Sequence, residues 1–110
     1  MSDYDALYQQ ALALHQSGDA QAAAQAYQQL LEACPDHADG LRQFGILLCQ
    51  YGHAAHARPL FARLLEMAPE QAEHHLLMGN VEMESGQAAA ALPHYQRALD
   101  LLPGNPMILF

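Results

Sequence analysis

At 110 residues, 52% of them apolar, the chain has the length of one domain and is too hydrophobic to remain unfolded. Four Lys+Arg stand against twelve Asp+Glu, a formal charge of −8, which leaves no basic cluster for a nucleic-acid backbone or an anionic membrane. Two cysteines are too few for a disulfide scaffold, and no apolar run approaches the roughly 18 residues of a membrane span.

The start, MSDYDALYQQ, lacks the basic and apolar regions of a secretion signal, so the expected location is the cytoplasm. Cys34 and Cys49 each sit inside an apolar pattern and are expected to be buried, reduced thiols.

From Tyr4 to His15, apolar residues fall at 4, 7, 8, 11, 12 and 14, the spacing of a helix with one broad buried face. Ser17-Gly18-Asp19 ends that helix, because glycine tolerates the left-handed C-cap and aspartate can cap the next helix. This second helix is predicted through Ala20, Ala23, Ala24, Tyr27, Leu30 and Leu31, stopping before Pro35. The glutamines at 9, 10, 21, 25, 28 and 29 fall between the apolar positions and form the outer face of these helices.

The same order then recurs twice at a spacing of 34 residues: Gly18, Gly52 and Gly86, and likewise Pro35, Pro69 and Pro103. Seven before each glycine stands a small residue (Ala11, Gly45, Gly79), and five after it an alanine (Ala23, Ala57, Ala91). Nine after it comes an aromatic: Tyr27, Phe61, Tyr95. Small residues let paired helices approach closely and the aromatic fills the space beside them, so each unit is a helical hairpin. Pro59 and Pro93 fall near the start of their helices and are expected in the first turn, where the missing N–H has no intrahelical partner anyway.

Catalytic signatures are missing. There is no Gly-rich phosphate loop, HExxH, CxxC or nucleophile elbow, and Ser17 and Ser85 fall in the turns. No catalytic residue, cofactor or metal site is expected, and the chain is not expected to be an enzyme. Seven histidines (15, 37, 53, 56, 74, 75, 94) are read as solvated surface residues, with His75 packed or half-exposed; His53 and His56 alone fall short of a metal-ligand set.

The 34-residue small–aromatic–small–Pro order resembles the tetratricopeptide repeat (TPR), over 4–37, 38–71 and 72–105. The resemblance implies an all-α, right-handed solenoid of three helix-turn-helix hairpins, about six helices, that binds proteins and is of bacterial type. It also implies a concave groove built from the first helix of each hairpin. The matching positions are Asp5, Tyr8, Leu12 and His15; Asp39, Arg42, Ile46 and Cys49; and Glu73, Leu76, Asn80 and Met83. Each is either groove surface or core between neighbouring first helices.

An apolar, acid-rimmed groove of this kind suits a protein or peptide segment with apolar anchors and basic flanks. One branch of the family grips the C-terminal carboxylate of heat-shock chaperones through Lys, Asn, Asn, Lys and Arg. Here the matching positions hold Tyr8, Leu12, Gln43, Glu73 and Leu77, so that activity is not expected.

Two other functions remain open: an N-terminal accessory segment of a longer bacterial enzyme such as a transferase, and a self-association module. Pro106 stands where a fourth first helix would begin, matching Ala38 and Ala72. Residues 106–110 are therefore expected to be the start of a truncated repeat or cap helix, with Met107, Ile108, Leu109 and Phe110 as candidates for contact with a second copy.

Overall fold

The computed structural model describes residues 3–102. Every regular element among them is a helix: α1 (Asp3–Ser17), α2 (Ala20–Ala33), α3 (Ala38–Gln50), α4 (Ala54–Met67), α5 (Ala72–Glu84) and α6 (Ala88–Asp100). The stub at 106–110, with Met107, Ile108, Leu109 and Phe110, lies outside the described residues, as does Pro103.

The turn inside each hairpin is the same local structure three times. Gly18, Gly52 and Gly86 adopt φ of 90°, 82° and 78°. At each, the glycine N–H donates to the carbonyl three residues back, and the next N–H donates to the carbonyl five residues back. The second bonds are Asp19 to Leu14 (3.1 Å), His53 to Leu48 (2.7 Å) and Gln87 to Glu82 (2.7 Å). This is the Schellman arrangement, which satisfies carbonyls at the helix end and requires a residue at home in the left-handed region.

Helix starts are less uniform. Asp19 accepts from the Ala22 N–H at 3.2 Å, and His37 Nδ1 accepts from the Gly40 N–H at 2.9 Å. His53, Gln71 and Gln87 make no side-chain cap bond. Pro59 and Pro93 are each the sixth residue of their helix, in the second turn and not the first. Each therefore removes one intrahelical bond, to Ala55 and Ala89 respectively. Both alanines and both prolines are exposed, so water can reach the released carbonyls and the helices continue.

Close approach within hairpins rests on small residues. A Cβ at Gly45 would lie 2.3 Å from Phe61, and one at Gly79 would lie 2.6 Å from Tyr95. The hydrophobic core straddles the hairpins. One cluster joins Ala11, Ala23, Ala26 and Tyr27 to Phe44 and Leu47 of α3; the other joins Leu41, Ala57, Phe61 and Leu64 to Val81 of α5. A single hairpin cannot bury its own apolar face, and stacking supplies the missing half. Salt bridges add to this: Arg58 of α4 holds Glu82 of α5 at 2.6 Å, and Arg63 of α4 holds Asp36 at 2.7 Å. On α6, Leu92 and Leu99 remain 57% and 45% exposed.

Candidate functional site

The first helices of adjacent hairpins, α1 and α3, leave between them an open trough of about 820 Å³. Tyr8, Leu12, His15 and Gln16 form one wall, and Gln43, Ile46, Gln50 and Tyr51 the other. Periodicity explains the geometry: Tyr8, Leu12 and His15 follow one another at spacings of four and three, so their side chains lie on one face of α1.

Next to the trough, and sharing Ile46 and Gln50 with it, a second cavity of about 210 Å³ opens between the second and third hairpins. Ile46, Cys49 and Gln50 of α3, Phe61 of α4, and Leu77, Asn80 and Glu84 of α5 line it. The two hollows therefore lie side by side along α1, α3 and α5, with Ile46 and Gln50 between them.

None of the twelve groove positions belongs to the buried core; all are half-buried or exposed. Tyr8, Leu12, His15 and Ile46 meet in the trough, and Ile46, Cys49 and Asn80 in the second cavity. Leu76 and Met83 are exposed at 39% and 51% but line neither hollow. Asp5 is exposed on α1, also outside both.

The rim carries acids with one arginine, and the structure adds how they pair. Arg42 pairs with Asp39 one turn away and with Glu73 on α5 at 3.6 Å. The row's one arginine is thereby shared between two of its acids, which one-helix spacing does not reveal because Glu73 comes from another hairpin.

Polar groups along the trough floor are held in place. In the neutral ring of His15, Nε2–H donates to Gln50 Oε1 at 2.8 Å, which leaves Nδ1 to accept from the Tyr27 hydroxyl at 2.9 Å. Burial, and then the nearby Tyr8, push the Tyr27 hydroxyl up to about 12. Tyr95 donates to Asn80 Oδ1 at 2.7 Å. Burial, followed by the charge of the nearby Glu84 carboxylate and hydrogen bonding to it, pushes the Cys49 thiol up to about 11. Both cysteines are free and half-buried, not fully buried as the sequence pattern suggested.

Of the histidines, His74 departs from a solvated reading. His74 is only 6% exposed and donates from Nδ1 to the Ala68 carbonyl at 3.2 Å. His75 is half-buried and donates from Nε2 to the Pro69 carbonyl at 2.9 Å. A carbonyl of the inter-hairpin loop accepts one hydrogen bond from each ring, while the buried Nδ1 of His75 has no hydrogen-bond partner among the described residues. His53 and His56 are exposed, with ring centroids 6.0 Å apart, and no group of three or more His, Cys, Asp or Glu side chains suited to a metal occurs among the described residues.

Sequence spacing overlooked one column of the site. Gln16, Gln50 and Glu84 each stand two residues before a turn glycine, at the C-terminal end of a first helix, and all three line the hollows. The 34-residue ruler carries that signal, but the expected positions stopped one residue short of it.

A tetratricopeptide repeat profile matches residues 43–106, and a profile for YpiA-like C-terminal tetratricopeptide repeats matches residues 5–71. The chain belongs to the tetratricopeptide repeat family, and its fold is the helical solenoid of that family.

Among solved structures it is similar to MamA from Desulfovibrio magneticus RS-1, with a TM-score of 0.86 and 27% identity over 94% of this chain and 58% of that one. It is also similar to the O-GlcNAc transferase of Thermobaculum terrenum, with a TM-score of 0.79 and 31% identity over 92% of this chain and 19% of the transferase. The Yersinia enterocolitica type III secretion translocator chaperone SycD shares the fold at a TM-score of 0.84 and 19% identity, over 99% of this chain and 83% of that one. The chain thus spans a little over half of the MamA chain it matches. No curated protein matches the sequence significantly. No helix among the described residues is long and apolar enough to cross a membrane.

Proposed function

We propose that the chain is a non-catalytic protein-interaction module that seats an extended or helical segment of a partner in the concave surface of α1, α3 and α5. The supporting observation is the trough itself. It has the volume of a binding site, and Tyr8, Leu12 and Ile46 offer apolar contact beside the amides of Gln16, Gln43 and Gln50. A glutamine amide both donates and accepts, so a row of them can hydrogen-bond a peptide backbone whatever its side chains. The remaining groove positions, Asp5, Asp39, Arg42, Glu73, Leu76 and Met83, would border the bound segment.

The test is capture of partners by the wild-type chain, by Leu12→Arg in the trough wall, and by Leu92→Arg on the exposed face of α6. Loss with the first variant and retention with the second is the expected result. Equal capture by Leu12→Arg and wild type would place the site elsewhere.

A second reading draws on the 31% identity to part of a transferase. There the repeats act as a recognition segment of a longer enzyme. The full reading frame of the gene decides it, because a frame without a catalytic domain removes this reading.

A further inference from the structure

We infer that the smaller cavity between the second and third hairpins is a specificity pocket for a basic side chain, arginine or lysine, of the bound segment. The inference rests on the groove reading above and adds the chemistry of one anchor.

Three observations carry it. First, the walls suit an aliphatic stem: Ile46, Phe61 and Leu77 line a space of about 210 Å³, enough for roughly seven water molecules. An arginine side chain, with a short chain of methylenes ending in a planar cation, fills such a space with its stem on the apolar walls.

Second, the polar lining is fixed before anything binds. The Gln50 amide is held by His15 and the Asn80 amide by Tyr95, while Glu84 lines the cavity beside Cys49. A carboxylate accepts up to about four hydrogen bonds, so Glu84 keeps capacity for an incoming donor.

Third, the charge is uncompensated. Arg42, Arg58 and Arg63 are committed to Asp39, Glu73, Glu82, Asp36 and Glu66, and among the described residues none of the arginines pairs with Glu84. Among the described residues, Glu84 is the one ionised group lining the cavity.

That third point discriminates between occupants. A partner segment crossing from the trough covers the cavity mouth and strips water from Glu84. An apolar anchor would leave that carboxylate desolvated and unpaired, and an acidic one would add repulsion; a guanidinium or ammonium converts the same desolvation into a charge-assisted hydrogen bond. The predicted basic flanks of the partner therefore belong here before Asp39 and Glu73, exposed carboxylates that already share the one countercharge of Arg42.

The experiment selects binders to the whole chain from a displayed library of random linear peptides and measures affinities by titration calorimetry. Enriched peptides are expected to carry an arginine or lysine at a fixed distance from apolar residues. Glu84→Gln, exposed and nearly isosteric, should weaken them about tenfold, and replacing the peptide's basic residue by norleucine should weaken wild type equally but leave Glu84→Gln unchanged.

Enrichment without a basic residue, or affinity indifferent to Glu84→Gln, overturns the pocket assignment. If those peptides still lose binding to Leu12→Arg, the trough reading survives alone. Should Leu12→Arg fail to fold, judged by circular dichroism, the exposed Gln16→Arg takes its place. No enriched peptide at all, or binding untouched by both kinds of variant, overturns both.

Discussion

Tyr27 of α2 and Phe44 of α3 lie ring over ring, centroids 5.7 Å apart and 21° from parallel, and this stack joins the first hairpin to the second. Both rings are buried in the same cluster. Truncating Phe44 removes one side of the stack and leaves a cavity that two facing helices cannot close. Phe44→Ala is expected to cost about 3–5 kcal/mol. Because repeat arrays are held by nearest-neighbour interfaces, the first hairpin should then unfold ahead of the other two. Urea melts followed by circular dichroism and by hydrogen exchange check this; a single coincident transition would show that the interface is held elsewhere.

Gly45 and Gly79 occupy equivalent positions but differ in their surroundings. Gly45 faces Phe61, 1% exposed and unable to retreat, whereas Gly79 faces the half-buried Tyr95. Gly45→Ala is expected to destabilise by about 1–3 kcal/mol through overpacking, despite the better helix propensity of alanine. Gly79→Ala should cost less, since Tyr95 can swing outward at the expense of its bond to Asn80. Equal losses on chemical denaturation would contradict the difference in confinement.

The ion pairs should rank by burial. Glu82 has a side chain only 13% exposed and depends on Arg58, so Arg58→Ala is expected to cost about 1–2 kcal/mol. Arg63 and its partners are exposed, and Arg63→Ala should leave the melting curve almost unchanged. A larger effect at Arg63 than at Arg58 would reverse this ordering.

Alkali should destabilise the fold before it titrates the buried hydroxyl. Tyr27 is held up to about 12 and Cys49 up to about 11, both mainly by burial, so the unfolded chain releases these protons first. Their stabilising contribution is complete below the ordinary values, 9 for the thiol and 10 for the phenol, and is lost as pH climbs through the raised ones. The urea midpoint is expected to decline steadily above pH 9, with a shallower decline in Tyr27→Phe. A midpoint that stays level from pH 9 to 12 would refute this.

The same thiol gives a chemical readout of the second cavity. At pH 8, a thiol at about 11 is roughly one thousandth ionised, so Cys49 should react with iodoacetamide about a hundred times slower than free cysteine. Glu84→Gln removes one cause while burial persists, so alkylation should quicken but stay slow. Mass mapping of the two cysteines over time reports both rates. An unchanged rate in Glu84→Gln would argue against the Cys49–Glu84 contact.

The repeat period made the helices legible because each boundary depends on a local event: a glycine at positive φ, and in the first two repeats a proline closing the hairpin. Contacts set between hairpins were not legible. Nothing near Glu73 in sequence announces Arg42, and nothing beside His74 announces that the Ala68 carbonyl will satisfy its ring. The trough was half visible for the same reason. Tyr8, Leu12 and Ile46 lie on a predictable helix face, whereas Gln16, Gln50 and Glu84 sit at helix ends, where stacking decides whether a side chain faces a neighbour or solvent.

The internal commitment of Arg42, Arg58 and Arg63 also reaches beyond stability. Those three arginines are shared among five carboxylates, which leaves that set at −2, and the remaining seven acids with Arg97 supply the other −6 of the formal −8, so the chain's potential is negative well before any contact forms. Such a field draws a cationic ligand inward from about a Debye length, about 8 Å in physiological salt, and sets how often encounters succeed rather than how long they last. Salt should therefore slow the arrival of a basic peptide far more than it hastens its departure.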